Sequence, residues 1–254
     1  MRAPKHHMMI ALNGTRRSKN DHPAVPISLP EIVATARVCH SVGACAMHLH
    51  IHDDNNAHSF DPGQYVETLS ELTNVVPKLH LHITTEAMSL YYVQEQLNCI
   101  NTVAPDLASI PIREIARDPN LASRVYGTCA DAGCEMQRIL YNTVDVALLK
   151  AWQAVGMVSL EQYSVLFLLG RYNADQTSTP SDIHPFLATM PNTRNRKLCA
   201  FGSQEHACLS HAAKLVGNIR AGFENSFVAC ERTRHRDNAG LVSALSRQTE
   251  GSQI

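Results

Sequence analysis

No pair of the eight cysteines (Cys39, Cys45, Cys99, Cys129, Cys134, Cys199, Cys208 and Cys230) is spaced as CxxC. Scattered through mostly apolar runs, they read as reduced core thiols of a cytoplasmic protein. Charge of one sign is equally lacking. Lys and Arg number 22 against 23 Asp and Glu, a net charge of −1, so no basic field favours nucleic acid or an anionic membrane. No stretch reaches the roughly 18 apolar residues that cross a bilayer. MMIAL, near the start, is shorter than the roughly 7–15 residues of a signal-peptide core. Linkers and repeats are missing too. The 254 residues, 44% of them hydrophobic, are expected to form one domain over residues 1–254 with a sizeable core.

What is present is an alternation of short apolar runs with helix-like segments. Strand-like runs fall at 8–12, 45–51, 78–84, 107–112, 136–141, 164–170, 197–202 and 218–224. Helical patterns occupy 29–43, 61–76, 144–156, 204–217 and 237–248, with Pro30 and Pro62 near the starts of the first two and Gly43 near the end of the first. Eight strands without tight hairpin signals favour a parallel sheet closed as an α/β (β/α)8 TIM barrel. A doubly wound open sheet is the alternative, but no GxGxxG follows the first run. In such barrels the active site gathers at the C-terminal ends of the strands.

That rule gives meaning to MHLHIHDD (47–54) and LHLHITTE (79–86). Histidines on alternate positions share one face of a strand, which suits either a metal site or a polar, hydrogen-bonded layer. His48 and His50 near the end of the second strand need a third ligand from elsewhere, and Glu224, after the eighth strand, is the best distant carboxylate. Arg220 falls on the same face and suits a carboxylate substrate. His52 and His58 are expected to be solvated or to support the ligands. His80 and His82 form a polar layer or orient the metal ligands. The run RNRK (194–197) reads as a solvated loop near the barrel mouth, or as a contact for coenzyme A phosphates.

Several segments follow one another in a recognisable order: ALNGTRRSKNDHPAVPIS, HLHIHDDNNAHSFDP, ITTEA, VLFLLGRY, CAFGSQE and IRAGFENSF. From about residue 9 to residue 247 the chain resembles the β-keto acid cleavage enzymes, a family named for the 3-keto-5-aminohexanoate cleavage enzyme. Its most specific parts are the HLH-x-x-D box and the R-x-G-x-E box. The resemblance implies a zinc-dependent (β/α)8 enzyme that condenses a β-keto acid with acetyl-CoA, giving acetoacetate and a new acyl-CoA. It implies His48, His50 and Glu224 as zinc ligands and Arg220 beside the metal. Thr84 or Thr85 falls near the reacting acyl group, and Gly202, Ser203 and Gln204 fall near the CoA. Arg171 is expected at the mouth, against substrate or CoA. Family likeness also suggests a homo-oligomer, tetramer or dimer.

The departures from the family pattern carry information. Better-known members have an acidic residue after the metal-binding glutamate; here it is Asn225, and an amide cannot act as a general base. Glu86, a histidine or a metal-bound water must then take the proton, or the chemistry differs. Where other members carry an acidic group that reads a substrate amine, this chain has Asn13, Gly14, Thr15, Arg16 and Arg17. Arg16 repels an amine and welcomes a second carboxylate, so an anionic or neutral β-keto acid is expected as substrate. His52 replaces a common arginine. The competing readings are a zinc hydrolase-type barrel, disfavoured because its HxH pair ends the first strand, and a catalytically altered metal- or CoA-binding barrel.

Overall fold

The computed structural model describes residues 7–172, 175, 177–229 and 233–250; Cys230, counted above among the core thiols, lies outside them. Eight parallel strands close into a barrel, β1 (His7–Ala11) pairing on one side with β2 (Ala46–Leu49) and on the other with β10 (Asn218–Ala221). Between these the order runs through β5 (His80–Thr84), β6 (Leu107–Pro111), β7 (Glu135–Leu140), β8 (Val165–Leu169) and β9 (Arg196–Ala200). The expected (β/α)8 barrel is the fold.

The helices begin where local chemistry stops their first amides from being orphaned. Glu31 accepts from the amides of Ile27 and Ser28 at the start of α1 (Leu29–Ser41), and Asp61 accepts from Gln64 N at 2.7 Å at the start of α2 (Pro62–Val75). Helices α3 (Val93–Val103), the single turn α4 (Ile112–Ile115), α5 (Pro119–Asp131) and α7 (His184–Thr189) were not marked by the sequence pattern. Helices α6 (Thr143–Ala154), α8 (Glu205–Leu215) and α9 (Asn238–Glu250) fall where it put them.

Period-two alternation divides the core into two regions. Val165, Phe167 and Leu169 join the large cluster between barrel and helices, where Phe167 stacks on Phe186 of α7. Leu166 and Leu168 turn the other way, with Ile139, Cys199 and Phe201, into the barrel. Buried polar groups fill much of the remaining interior: His48, His82, Gln137 and Arg220 are all at most 2% exposed. Seven cysteines are free thiols; six are buried and Cys45 is half-buried.

Two expectations are corrected. The run 45–51 is not one strand, because the chain leaves the barrel after Leu49. A small antiparallel pair, β3 (Ile51–His52) and β4 (His58–Ser59), follows, with His52 opposite His58. His58 is therefore buried against the mouth, in keeping with the supporting alternative and not the solvated one. The run 194–197 belongs to the opposite end of the barrel from the mouth, since it leads into β9, and Lys197 is buried in that strand. No helix among the described residues is long and apolar enough to cross a membrane.

Candidate active site

Two strands, β2 and β10, bring three ligand residues to one point at the C-terminal end of the barrel. His48 is the third residue of β2, His50 leaves that strand, and Glu224 follows the turn after β10. The turn requires Gly222, with φ 142°, because a Cβ there would meet the Ala11 carbonyl oxygen at 2.2 Å. Nε2 of His50 stands 3.6 Å from Glu224 Oε1, and Nε2 of His48 stands 3.9 Å from Oε2. These contacts are too long for hydrogen bonds. Both nitrogens of each ring and both carboxylate oxygens lack hydrogen-bond partners although fully buried.

Buried polar atoms without partners are costly, by roughly 1–3 kcal/mol each, and these three side chains carry six of them. One donor atom from each of His48, His50 and Glu224 can be drawn from a set lying within 4.8 Å of one another. That separation and the N,N,O donor set fit a divalent ion such as zinc, with a position left open for substrate or water. The electrostatics agree. Burial pushes the Glu224 carboxyl toward protonation, but Arg220, then His50 and His48, hold it well below the usual range. Arg220 Nη2 lies 3.7 Å from Oε2, and a unit-charge pair at about 4 Å is worth roughly 4 kcal/mol at an intermediate effective dielectric. Burial first, then Arg220 and His50, keeps His48 neutral, the form that ligates metal.

The other expected residues differ in what their polar atoms are free to do. Arg220 donates from Nη2 to Cys199 Sγ at 3.4 Å, while its Nε and Nη1 are buried and unpartnered. Arg171, 4% exposed, donates from Nη2 to Glu86 Oε1 at 2.9 Å and to Thr15 Oγ1 at 3.2 Å, leaving Nε unpartnered. Removing one member of such a buried pair costs about 3–5 kcal/mol, so Glu86 and Arg171 fix each other. Thr84 Oγ1 is spent, donating to Ser109 O and accepting from Glu86 N, whereas Thr85 Oγ1 is buried with no partner. Asn13 is also spent: Nδ2 donates to Pro26 O and His50 O, and Oδ1 accepts from Gly14 N.

Asn225 faces away from open chemistry. Its Nδ2 donates to Glu205 Oε1 at 2.9 Å and its Oδ1 accepts from Cys199 Sγ at 3.4 Å. Arg16 is exposed on the rim, with Nε 3.4 Å from Met88 Sδ. Gly202, Ser203 and Gln204 lead into α8, and Gly202 N donates to Asn225 O at 3.3 Å. His58 donates from Nε2 to the Glu86 carbonyl at 2.9 Å and meets the His50 ring edge-on at 5.4 Å, so it braces both. His52 is half-buried with both ring nitrogens unpartnered.

Sequence reasoning missed three residues. Glu114 accepts from the amides of Ala87 and Met88 and from Gln96 Nε2, anchoring the segment after β5; burial pushes its carboxyl up to about 7. Glu205, fully buried in the first turn of α8, accepts from Gly222 N as well as Asn225. Cys199 bridges Arg220 to Asn225. Cys199 and Glu205 open and close the CAFGSQE segment, but neither it nor the surroundings of Glu114 marks the partners that the fold supplies.

The geometry defines a class: a parallel (β/α)8 barrel whose catalytic end carries a candidate His2Glu metal centre beside a buried arginine. The chain matches the family described as beta-keto acid cleavage enzyme over residues 5–253 and belongs to it. It is thus an enzyme of the carbon–carbon-cleaving, acyl-transferring kind. It is 23% identical to the 3-oxoadipate:acetyl-CoA acetyltransferase of Cupriavidus necator, over 95% of this chain and 87% of that one. To the 3-keto-5-aminohexanoate cleavage enzyme of Acetoanaerobium sticklandii it is 20% identical, over 93% and 89%. Among solved structures, apo ObcA aligns with a TM-score of 0.70 at 14% identity, over 90% of this chain. The chain spans 62% of ObcA's length. KGPDC from Streptococcus mutans aligns with a TM-score of 0.60 at 12% identity, over 97% of this chain and 98% of that one. These structural likenesses carry the fold alone.

Gly14 has φ 70°, and a Cβ there would lie 2.4 Å from Glu224 Cγ, so Gly14→Ala must displace the carboxylate. Zinc affinity, measured by competition with a chromogenic chelator, is expected to fall about 10–100-fold. Burial pushes the Glu205 carboxyl up to about 8 from 4.5. The folded chain thus holds that proton where the unfolded chain has lost it, and stability falls as pH rises from about 4.5 to 8. Glu205→Gln removes the titration and keeps both accepted hydrogen bonds. Its melting temperature is expected to exceed the parent's at about pH 8 and to match it near pH 4.5.

Proposed function

We propose that this protein condenses a β-keto acid with acetyl-CoA and releases acetoacetate and a new acyl-CoA. The observation that carries this reading is the set of unpartnered, buried donors of His48, His50 and Glu224 beside Arg220, in a chain of this family. Those three residues would hold the divalent ion, for which zinc is the proposed identity. When bound, it supplies Lewis acidity toward the keto and carboxylate oxygens of the substrate.

The chain's own residues supply the rest. Free Nε and Nη1 of Arg220 and free Nε of Arg171 bind carboxylate or developing oxyanion charge. The Glu86–Arg171–Thr15 contacts hold that arginine in place before substrate arrives. Asn225 cannot accept a proton, and its amide is committed to Glu205 and Cys199. Glu86 is the carboxylate assigned to take the α-proton, on Oε2, while Arg171 holds Oε1. Thr85, with its unpartnered hydroxyl, is the candidate donor to the reacting acyl group. Gly202, Ser203 and Gln204 are assigned to CoA, at the start of α8.

For substrate, the mouth favours negative charge. Arg16, Arg17 and Arg171 surround the entry, and the C. necator relative is named for 3-oxoadipate, a dicarboxylate. An anionic β-keto acid is therefore the proposed substrate, with a neutral one second.

The test is a free-CoA assay over a panel of β-keto acids with acetyl-CoA and the metal-loaded protein. Turnover on 3-oxoadipate or a similar dianion should exceed that on 3-keto-5-aminohexanoate; equal or faster turnover of the amino substrate would sink the substrate assignment. Glu86→Gln is expected to lower kcat by about 10²–10⁴-fold while the zinc content stays unchanged.

A further inference from the structure

The barrel has a polar cavity at the end opposite the mouth. It measures about 260 Å³ and is lined by His7, His80, His82, Glu135, Asn195 and Lys197, among others. These residues arrive at the N-terminal ends of the strands: His7 opens β1, His80 opens β5, Glu135 opens β7, and Lys197 is the second residue of β9. In most barrels this end is closed by apolar side chains, and a polar layer there needs a reason.

Four groups able to carry positive charge surround a single carboxylate, and that carboxylate is already engaged: Asn195 Nδ2 donates to Glu135 Oε1 at 2.7 Å. Lys197 is 3% exposed, yet its ammonium makes no hydrogen bond or ion pair among the described residues. His82 is 2% exposed, and its Nδ1 is buried without a partner, as is Nδ1 of His7. The groups also repel one another. Burial, then Lys197 and His80, takes His7 down to about 4, and burial followed by Lys197, His7 and His80 takes His82 well below its usual value.

The missing partner is an anion rather than a second metal. Among the described residues, His48, His50 and Glu224 are the cluster whose donor atoms lie within 4.8 Å of one another, and the histidines at this end do not form such a group. An ammonium, moreover, has three hydrogens to donate and no lone pair to ligate a cation. A tetrahedral oxyanion is wider than a metal ion, accepts hydrogen bonds on every side, and favours charged donors.

We propose that this cavity binds a small divalent oxyanion of the phosphate or sulfate type, held by Lys197 with His7, His80 and His82. The ion offsets the charge of the buried Lys197 ammonium and accepts from the unpartnered imidazole nitrogens. His82 is also the register partner of His48 on the neighbouring strand, so the cavity adjoins the layer that carries the metal ligands. The site is separate from the reaction mouth and stands whether or not the proposed reaction is correct.

The test is thermal melting of the full chain near pH 7 at constant ionic strength, titrated with sodium phosphate, sodium sulfate or sodium chloride. A saturable rise in melting temperature is expected with both divalent oxyanions and not with chloride. It should vanish in Lys197→Met. It should also vanish in His80→Glu, which places a carboxylate in the cavity at an exposed position that tolerates substitution and so serves if Lys197→Met does not fold. A rise that does not saturate, that chloride reproduces, or that persists in either folded variant would overturn the proposal.

Discussion

Glu224 is fully buried, yet Arg220 and the two imidazoles beside it hold its carboxyl well below the usual range, and the rest of the site depends on that charge. Arg220, four residues earlier, supplies the compensating positive charge from 3.7 Å. Cys199 and the buried surroundings hold Arg220 in turn. The pair is not closed on itself: the carboxylate oxygens stand between two imidazoles at distances that invite a bridging ion. Glycine at position 14 is what lets the β1 loop lie against Glu224 at all. The site is thus assembled from β1, β2 and β10, which are neighbours in the barrel.

A second constraint organises the other side of the mouth. Glu86 and Arg171 are buried together, and Glu86 is braced through its backbone by His58 and Thr84. Glu114 receives two successive amides of the same segment, where Met88 and Ser89 take up left-handed backbone conformations. Such conformations in non-glycine residues cost of order 1–3 kcal/mol and persist where the surroundings enforce them. Here Glu114 and the contact between Thr15 Oγ1 and Met88 Sδ do so. The segment after β5 is therefore held in its conformation by Glu114 and Thr15.

Much of this was legible in the sequence, for physical reasons that differ by residue. Strands announce themselves through apolar runs, so the eight barrel strands and the placement of His48, His50 and Glu224 at their ends could be read directly. Helices α3 and α5 escaped although their buried residues keep helical spacing (Val93, Gln96, Leu97 and Ile100; Ala122, Val125, Tyr126 and Cys129), because the rest of each segment is polar and no apolar run marks it. The hairpin of β3 and β4 hid inside an alternation that continued across the strand end, so His52 and His58 were separated from the ligands but read as loop residues. RNRK looked like a mouth loop because a charge run carries no sense of which end of the barrel it occupies. The contacts of Glu114, Glu205 and Cys199 were invisible, although the last two stand in the CAFGSQE segment, because their partners lie about 20 or more residues away in sequence.

The central claim is that buried donors on β2 and after β10 hold a metal ion. Elemental analysis of the purified chain, followed by zinc titration of chelator-treated protein, tests it most directly. The account predicts about one divalent ion per chain, zinc foremost, removed by chelator and restored at about equal stoichiometry. A chain that carries no metal and takes up none on titration would contradict it, leaving the convergent histidines as a polar layer of the barrel.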